Sequence, residues 1–411
     1  MLTRLKDIYS KLGYNLPLLI AFFLPFGINY AIFIMIWALC FFILDDVKQG
    51  FKSIFSNKWS FALLGFFILH VLGAFYAKQS SEISSTIEIK LVFLAFPILI
   101  FASRYSDIQL KKIIVSFVSG CILASLLCIF RALFLYFFQN TNAFLYSDFA
   151  FLIHPSYMAM YLVFAQLIVL LYYPKWLSHL KAVPVKIGFI SFIFLLTIFL
   201  CSSKMGLITA FVLLPLTFII KLYIGGYKKV IMWFVLSFTV ICIICYQLFP
   251  VQVGRFKTAF KVTSSSQTID KSDSESTAVR ILIWKESVKI IKSNFWIGTS
   301  PADANEALYQ SYQENGLTGA YSKKLNAHNQ FFQTFIGTGI IGFMLLLSIT
   351  VFIIFYGLVK KEWLLSLFGV LITLNFLVES MLQAQAGFTF FVFFLCILLQ
   401  YNLSKISNKA V

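Results

Sequence analysis

The string LNAHNQFFQTFIGTGIIGF, residues 325–343, holds the most chemically suggestive spacing in the chain: His328 and Asn329 precede an apolar run with glycines at 339 and 342. A helix turns once in 3.6 residues, so the step from His328 to Gly339 is about three turns and sets both on nearly one face, with Gly342 one turn further on. Glycines on one face allow close helix packing in lipid, which would hold a histidine at the mouth of such a helix in position. A neutral imidazole there can accept a proton from a hydroxyl near pH 7. Without its spacing, His328 reads equally well as an interfacial polar residue.

Cations and further polar groups stand elsewhere in the chain. Ile281, Trp284, Val288, Ile291 and Phe295 recur at steps of three and four, with Lys285, Lys289 and Lys292 on another face, so the spacing predicts an amphipathic helix. Ser276 or Thr277 can cap it, and its lysines would touch lipid headgroups. Arg280 falls in its first turn, where a cation is unfavourable, so the arginine answers either to an anionic ligand or to a salt bridge. Gly298 and Pro301, in FWIGTSPADANEAL, mark a stop and a new helical start. Arg131 lies inside an apolar run and either binds phosphate or snorkels to the surface. His154, just before Pro155, either lines the same chamber or serves the start of a helix. Glu379, in VESMLQAQAG, could orient His328 or pair with an arginine. No role is expected for His70 or His179.

The elements that must position these residues are membrane helices. Charged residues make up 12% of the chain and apolar ones 60%, against about 25% charge in a soluble domain. Apolar runs of about 20 residues recur throughout, each long enough to cross a hydrocarbon layer of ~30 Å. Pro25 and Gly27 divide the stretch 15–44 into two short spans. Further spans are expected near 60–77, 88–103, 112–138, 154–173, 186–201, 205–224, 230–250, 329–358, 363–380 and 386–401, twelve in all. The expected class is therefore all-α, a polytopic helical bundle. With the N-terminus in the cytoplasm, 19 of the 33 basic residues fall on the cytoplasmic side, as retention of basic loops requires. The net charge of +17 is then a topology signal, and nucleic acid need not be invoked. Segment 251–328 follows the ninth span and faces outward, dividing the chain into 1–250, 251–328 and 329–411. Within it, TSSSQTIDKSDSES (Thr263 to Ser276) is polar and expected to be mobile. All seven cysteines fall in or beside apolar runs, so neither a disulfide framework nor a zinc site is implied.

The order His328, Asn329, nine residues, Gly339, two residues, Gly342 resembles the H-[N/S/Q]-x9-G-x-x-[G/T/Y] pattern of the O-antigen ligase family. About twelve spans and one dominant outer loop just before the motif also resemble that family. Its members transfer a glycan from undecaprenyl pyrophosphate to an acceptor, which for ligases is the lipid A core. The resemblance implies that His328 is the base that activates the acceptor hydroxyl, and that Arg280, followed by a tryptophan, is the loop arginine that holds pyrophosphate. A second family arginine stands after the seventh span, where this chain reads CSSKMG. Lys204 would take that role without the bidentate fork that suits phosphate. Arg131, His154, Asn329 and Glu379 complete the expected substrate-binding set. Because a pyrophosphate leaving group needs cations more than an acid, and the outer carboxylates are scattered, the expectation is a metal-independent, inverting transfer without a cofactor. Its partners would be the lipid-linked donor, a lipid A core or other glycan acceptor, and membrane lipids.

Three other readings compete. A polymerase of the same superfamily usually has a second large outer loop, for which 139–153 is too short. A protein O-oligosaccharyltransferase often adds an outer C-terminal domain, whereas this chain is expected to end in the cytoplasm after Leu403. A transporter would show repeated halves with broken helices at the midplane, and no clear repeat is visible.

Overall fold

The structure, a computed structural model, describes residues 2–44, 54, 57–103, 105–248, 271–272 and 277–410. Every regular element among them is helical. Helices α1 (Leu2–Phe23) and α2 (Ala31–Leu44) are separated by the turn Leu24–Phe26, as Pro25 and Gly27 predict. Then follow α3 (Lys58–Ala74), α4 (Ser80–Lys90), α5 (Val92–Phe101), the long α6 (Asp107–Gln139) and the short α7 (Tyr146–Phe149). Next come α8 (Pro155–Trp176), α9 (Val183–Leu200), α10 (Lys204–Ile224) and α11 (Lys228–Leu248). A cap of α12 (Thr277–Ser293), α13 (Ala304–Glu314) and α14 (Thr318–Ser322) precedes α15 (Gln330–Val359), α16 (Trp363–Phe376) and α17 (Gln385–Ala410).

Among the described residues, seven stretches are long and apolar enough to cross a membrane: Ser80–Phe101, α6, α8, α9, α10, α15 and Gln385–Leu403. Leu12–Phe26, Ala31–Ile43, α3 and α16 are apolar but shorter. The chain is a multi-pass membrane protein. At its centre lie α17 and α8, with 83% and 72% of their apolar stretches buried, against 22% for α9 and α10 at the periphery. Aromatic rings lock this centre together. Phe394 lies 4.6 Å from Phe117 and 4.9 Å from Phe164 between ring centroids, both in the edge-on arrangement that ring quadrupoles favour. The Tyr161 hydroxyl donates to the Ala386 carbonyl at 2.6 Å and fixes the start of α17 against α8.

The cap has a small core of its own, in which Val279, Ile283, Leu308, Tyr312 and Ile336 meet. Two ties seat it on the bundle. The Asp303 carboxylate accepts from the Lys78 and Gln79 backbone N–H groups, both at 2.8 Å, at the start of α4, where a negative group also complements the helix dipole. The second tie is a break in α15. At Gly339 the backbone leaves the helix (φ 64, ψ −163), and the freed groups bond the loop after α12: Ile340 N–H to the Phe295 carbonyl at 2.9 Å, Thr299 N–H to the Ile336 carbonyl at 2.7 Å. A Cβ at Gly339 would stand 2.3 Å from the Trp296 carbonyl oxygen, so close approach as well as conformation requires glycine.

Three expectations change. Residues 80–90, expected as an outer loop running into a span, form α4, whose last residue Lys90 is buried. Helix α12 exists, but its buried stripe is Val279, Ile283, Ser287 and Ile291, and Val288 and Phe295 of the expected apolar face are exposed. The rotation has a polar cause: it buries Glu286, whose carboxylate is satisfied by Lys289 Nζ at 2.8 Å, Ser311 Oγ at 2.8 Å and Asn315 Nδ2 at 3.1 Å. Finally, His328 is not on the helix it precedes, and Gly339 breaks that helix, so the two share no helical face. The stretch expected to be mobile, Thr263 to Ser276, lies outside the described residues except for 271 and 272.

Candidate active site

The turn into α15 sets the position of the histidine. Asn329 caps the helix, its side-chain carbonyl accepting from Phe332 N–H at 3.0 Å. One residue earlier, His328 adopts a left-handed conformation (φ 45). The turn is held on both sides: the His328 N–H donates to Asn326 Oδ1 at 3.0 Å, and the Ala327 N–H to Gln333 Oε1, also at 3.0 Å. A non-glycine residue in this region is uncommon and clusters at functional sites.

Facing His328 is the short segment between α16 and α17. His328 Nδ1 lies 3.7 Å from Glu379 Oε2, and the two side chains are 20% and 27% exposed, so the pair opens to its surroundings. Four bonds fix the segment that carries Glu379. Asn329 Nδ2 donates to the Leu377 carbonyl at 3.0 Å, and an Arg280 guanidinium nitrogen to the Val378 carbonyl at 3.1 Å. The Leu382 N–H donates to Gln330 Oε1 at 2.7 Å, while Lys90 Nζ donates to the Leu382 carbonyl. Trp284, one turn beyond Arg280, donates from its indole to the Ala327 carbonyl at 3.0 Å and ties α12 to the histidine turn. The arginine expected in the first turn of α12 therefore reaches the same segment as the histidine, and its charge is felt at Glu379.

Electrostatics bind the group further. Burial pushes the Glu379 carboxyl up, but His328, Arg280 and His154 outweigh it and hold it below its ordinary value. His154 is the N-cap of α8, its Nδ1 accepting from the Ser156 N–H at 3.4 Å. Partial burial lowers its pKa, Glu379 opposes that shift and Arg280 adds to it. His154 thus belongs to the cluster as well as to its helix start.

Lys204 is the exposed first residue of α10. Ser203, which caps that helix through the Gly206 N–H, also donates to Ser156 Oγ at 3.4 Å, so the starts of α8 and α10 abut and Lys204 stands next to the helix that carries His154. Arg131 is engaged elsewhere: its guanidinium donates to the Asp148 carbonyl at 2.6 Å and lies 4.6 Å over the Phe151 ring, which ties down the loop leading to His154. Among the described residues, no group of three or more His, Cys, Asp or Glu stands together to hold a metal ion.

The arrangement joins a partly open imidazole, a carboxylate at its back and an arginine on the same segment. In comparison with known families, a family model described as O-antigen ligase matches residues 189–347. This segment belongs to the O-antigen ligase family. The ligase-family segment runs from α9 to the middle of α15 and includes Lys204, Arg280, His328, Asn329, Gly339 and Gly342; Arg131, His154 and Glu379 lie outside it. No curated protein matches the chain. Sequence reasoning missed Lys90, Gln330 and Gln333. Their signals were an ionisable residue inside a span, and two glutamines three apart in an apolar run.

Proposed function

We propose that the chain is a membrane glycosyltransferase that moves a glycan from an undecaprenyl-pyrophosphate carrier to a lipid A core acceptor at the periplasmic face of the bacterial inner membrane. The observation that carries this reading is the convergence of His328 and Arg280 on the segment bearing Glu379, a base and a cation at one end of the bundle. The family of segment 189–347 supports a glycosyltransferase of the O-antigen ligase or polymerase type.

In this proposal the acceptor hydroxyl passes its proton to His328 while its oxygen attacks the anomeric carbon. The bond from that carbon to the pyrophosphate breaks, and its electron pair leaves with undecaprenyl pyrophosphate. Attack opposite the leaving group inverts the anomeric centre. Negative charge grows on the departing oxygen, and the cations Arg280 and Lys204 stabilise it there, without a metal ion. Glu379 orients the imidazole and favours its protonated form as the proton arrives. Asn329, bonded to both the α15 start and Leu377, acts through position. His154 flanks the donor, and Arg131 acts through position, by fixing the loop before α8. Twelve spans, cytoplasmic termini and a periplasmic segment 251–328 complete the proposal.

The test is the lipopolysaccharide of a deletion strain complemented with wild type or His328→Ala. Loss of surface glycan with accumulation of full-length lipid-linked polymer is expected for the variant. Normal ligated glycan with His328→Ala would sink the mechanism, and short single-repeat glycans would point to a polymerase.

A further inference from the structure

Lys90 is the last residue of α4, 2% exposed, inside a stretch apolar enough to cross the membrane. An ionisable side chain at such a position is costly, and an apolar residue of similar size would fill the space without that cost. Lys90 Nζ donates to the Leu382 carbonyl, three residues after Glu379. The other side of the same residue is held by Gln330, which accepts the Leu382 N–H at 2.7 Å. Leu382 is therefore clamped at both backbone polar groups, by side chains from two different helices.

The surroundings of the amine point the same way. Lys90 lines a small polar cavity with His70, Thr86, Gln333, Thr334 and Gln383. His70 is tied to its own helix, its Nδ1 2.8 Å from the Phe66 carbonyl. Gln333, on the cavity wall, is the residue that accepts the Ala327 N–H beside His328. Gln383 belongs to the Glu379 segment. One cavity thus touches the supports of both members of the His328–Glu379 pair, one through Leu382 and one through Gln333.

We propose that Lys90 is a positioning residue, which sets the distance between Glu379 and His328 by holding the Leu382 carbonyl from inside the bundle. The inference rests on the reading of His328 as the base. Its effect falls on the chemical step, because nothing in the clamp touches the donor phosphates. Without the amine, the Leu382 carbonyl lies buried with no donor and the segment relaxes; a misplacement of about 1 Å in a catalytic group costs roughly 100-fold in rate.

The experiment uses the full chain in lipid vesicles, with lipid-linked glycan and unligated lipid A core both taken from the deletion strain. Lys90→Met is expected to lower kcat by about 10-fold to 100-fold while KM for the lipid-linked glycan stays within about twofold of wild type. The double variant Lys90→Met/Glu379→Gln is expected to be no slower than Glu379→Gln alone, since both act through one pair. A rise in KM with kcat intact would overturn the proposal and make Lys90 a donor contact. Multiplying effects in the double variant, or unchanged kcat in Lys90→Met, would overturn it as well. Gln330→Leu, which opens the other side of the clamp, repeats the test independently of the buried amine and is expected to show the same kcat loss and the same non-additivity; unchanged kcat there counts against the clamp. His328→Ala separates the two readings: activity retained in it removes the base assignment, whereas a silent His328→Ala beside a fully active Lys90→Met removes only the role of Lys90.

Discussion

Glu286 and Glu379 are both carboxylates at the same end of the bundle, and they are treated in opposite ways. Glu286 is closed in by Lys289, Ser311 and Asn315, each within 3.1 Å, and it joins α12 to α13. Glu379 stays 27% exposed, its nearest cation-capable neighbour is a histidine at 3.7 Å, and the bonds around it go to its backbone neighbours. A carboxylate whose lone pairs are filled is part of the scaffold, because a buried charge is tolerable only when paired and hydrogen-bonded. One whose backbone is fixed while its oxygens remain available can respond when a proton or a ligand arrives.

Exchanging the chemistry at the two places breaks the comparison most sharply. His328→Ala is expected to lower transfer per folded molecule by about 10²-fold to 10⁴-fold, the usual worth of a general base, and Glu379→Gln by a smaller factor of about 10-fold or more through lost orientation. Neither should move the thermal midpoint much, since both side chains are partly open. Rates in vesicles and melting curves in detergent, measured on one preparation, check this. A Glu379→Gln protein that melts far lower at unchanged kcat would make Glu379 a scaffold residue like Glu286.

Gly339 joins the two regions, and its substitution should damage both. Its φ and ψ fall where side chains are strained by about 1–3 kcal/mol, and the added Cβ meets the Trp296 carbonyl. Gly339→Ala is expected to lower the melting temperature and to loosen the loop from Phe295 to Thr299, read as faster amide exchange at Thr299 and Ile340. An unaltered exchange rate at those amides would show that the break in α15 does not seat the cap.

Glu286→Leu tests the scaffold side alone. It removes the acceptor of Ser311 Oγ and one of the two acceptors of Asn315 Nδ2, which keeps the Ser311 carbonyl at 2.8 Å, and a polar group left without its partner costs about 1–3 kcal/mol. The expected result is a lower midpoint with kcat per folded molecule close to wild type. A selective loss of kcat would mean that α12, which carries Arg280, transmits the change to the site.

Much of the fold was legible because lipid demands long apolar runs. The runs expected at 154–173 and 205–224 are α8 and α10 to within a few residues. His328, Arg280 and Glu379 were legible as candidates, because polar residues at the ends of such runs have few other reasons to be there. What could not be read is what tertiary bonding decides. Periodicity continues α15 straight through Gly339, and only the loop docked on the freed backbone groups reveals the break. The face of α12 was misjudged because Ile281 and Val288 outweigh Glu286 in any apolar pattern, although three partners make that glutamate a buried residue. Lys90 stands in the sequence only as a basic residue within an apolar run, and its bond to a carbonyl 292 positions away has no trace in its neighbours.

The smallest expected effect concerns acid, and it separates the open carboxylate from its histidine neighbours. Partial burial lowers the His154 pKa in the folded protein, so between that value and the ordinary histidine value near 6.5 the unfolded chain binds more protons, and stability falls as pH drops through this range. Glu379 is also lowered, so its contribution is fully present above the ordinary carboxylate value of about 4.3 and is lost as pH falls through the lower folded value. The melting temperature should therefore decline in two steps, a shallow one that begins near pH 6.5 and a second below about pH 4.3. His154→Gln should flatten the first step and leave the second, while Glu379→Gln should remove the second. If His154→Gln keeps the full slope just below about pH 6.5, the histidine is not held neutral by its setting, and the cluster around Glu379 loses its third member.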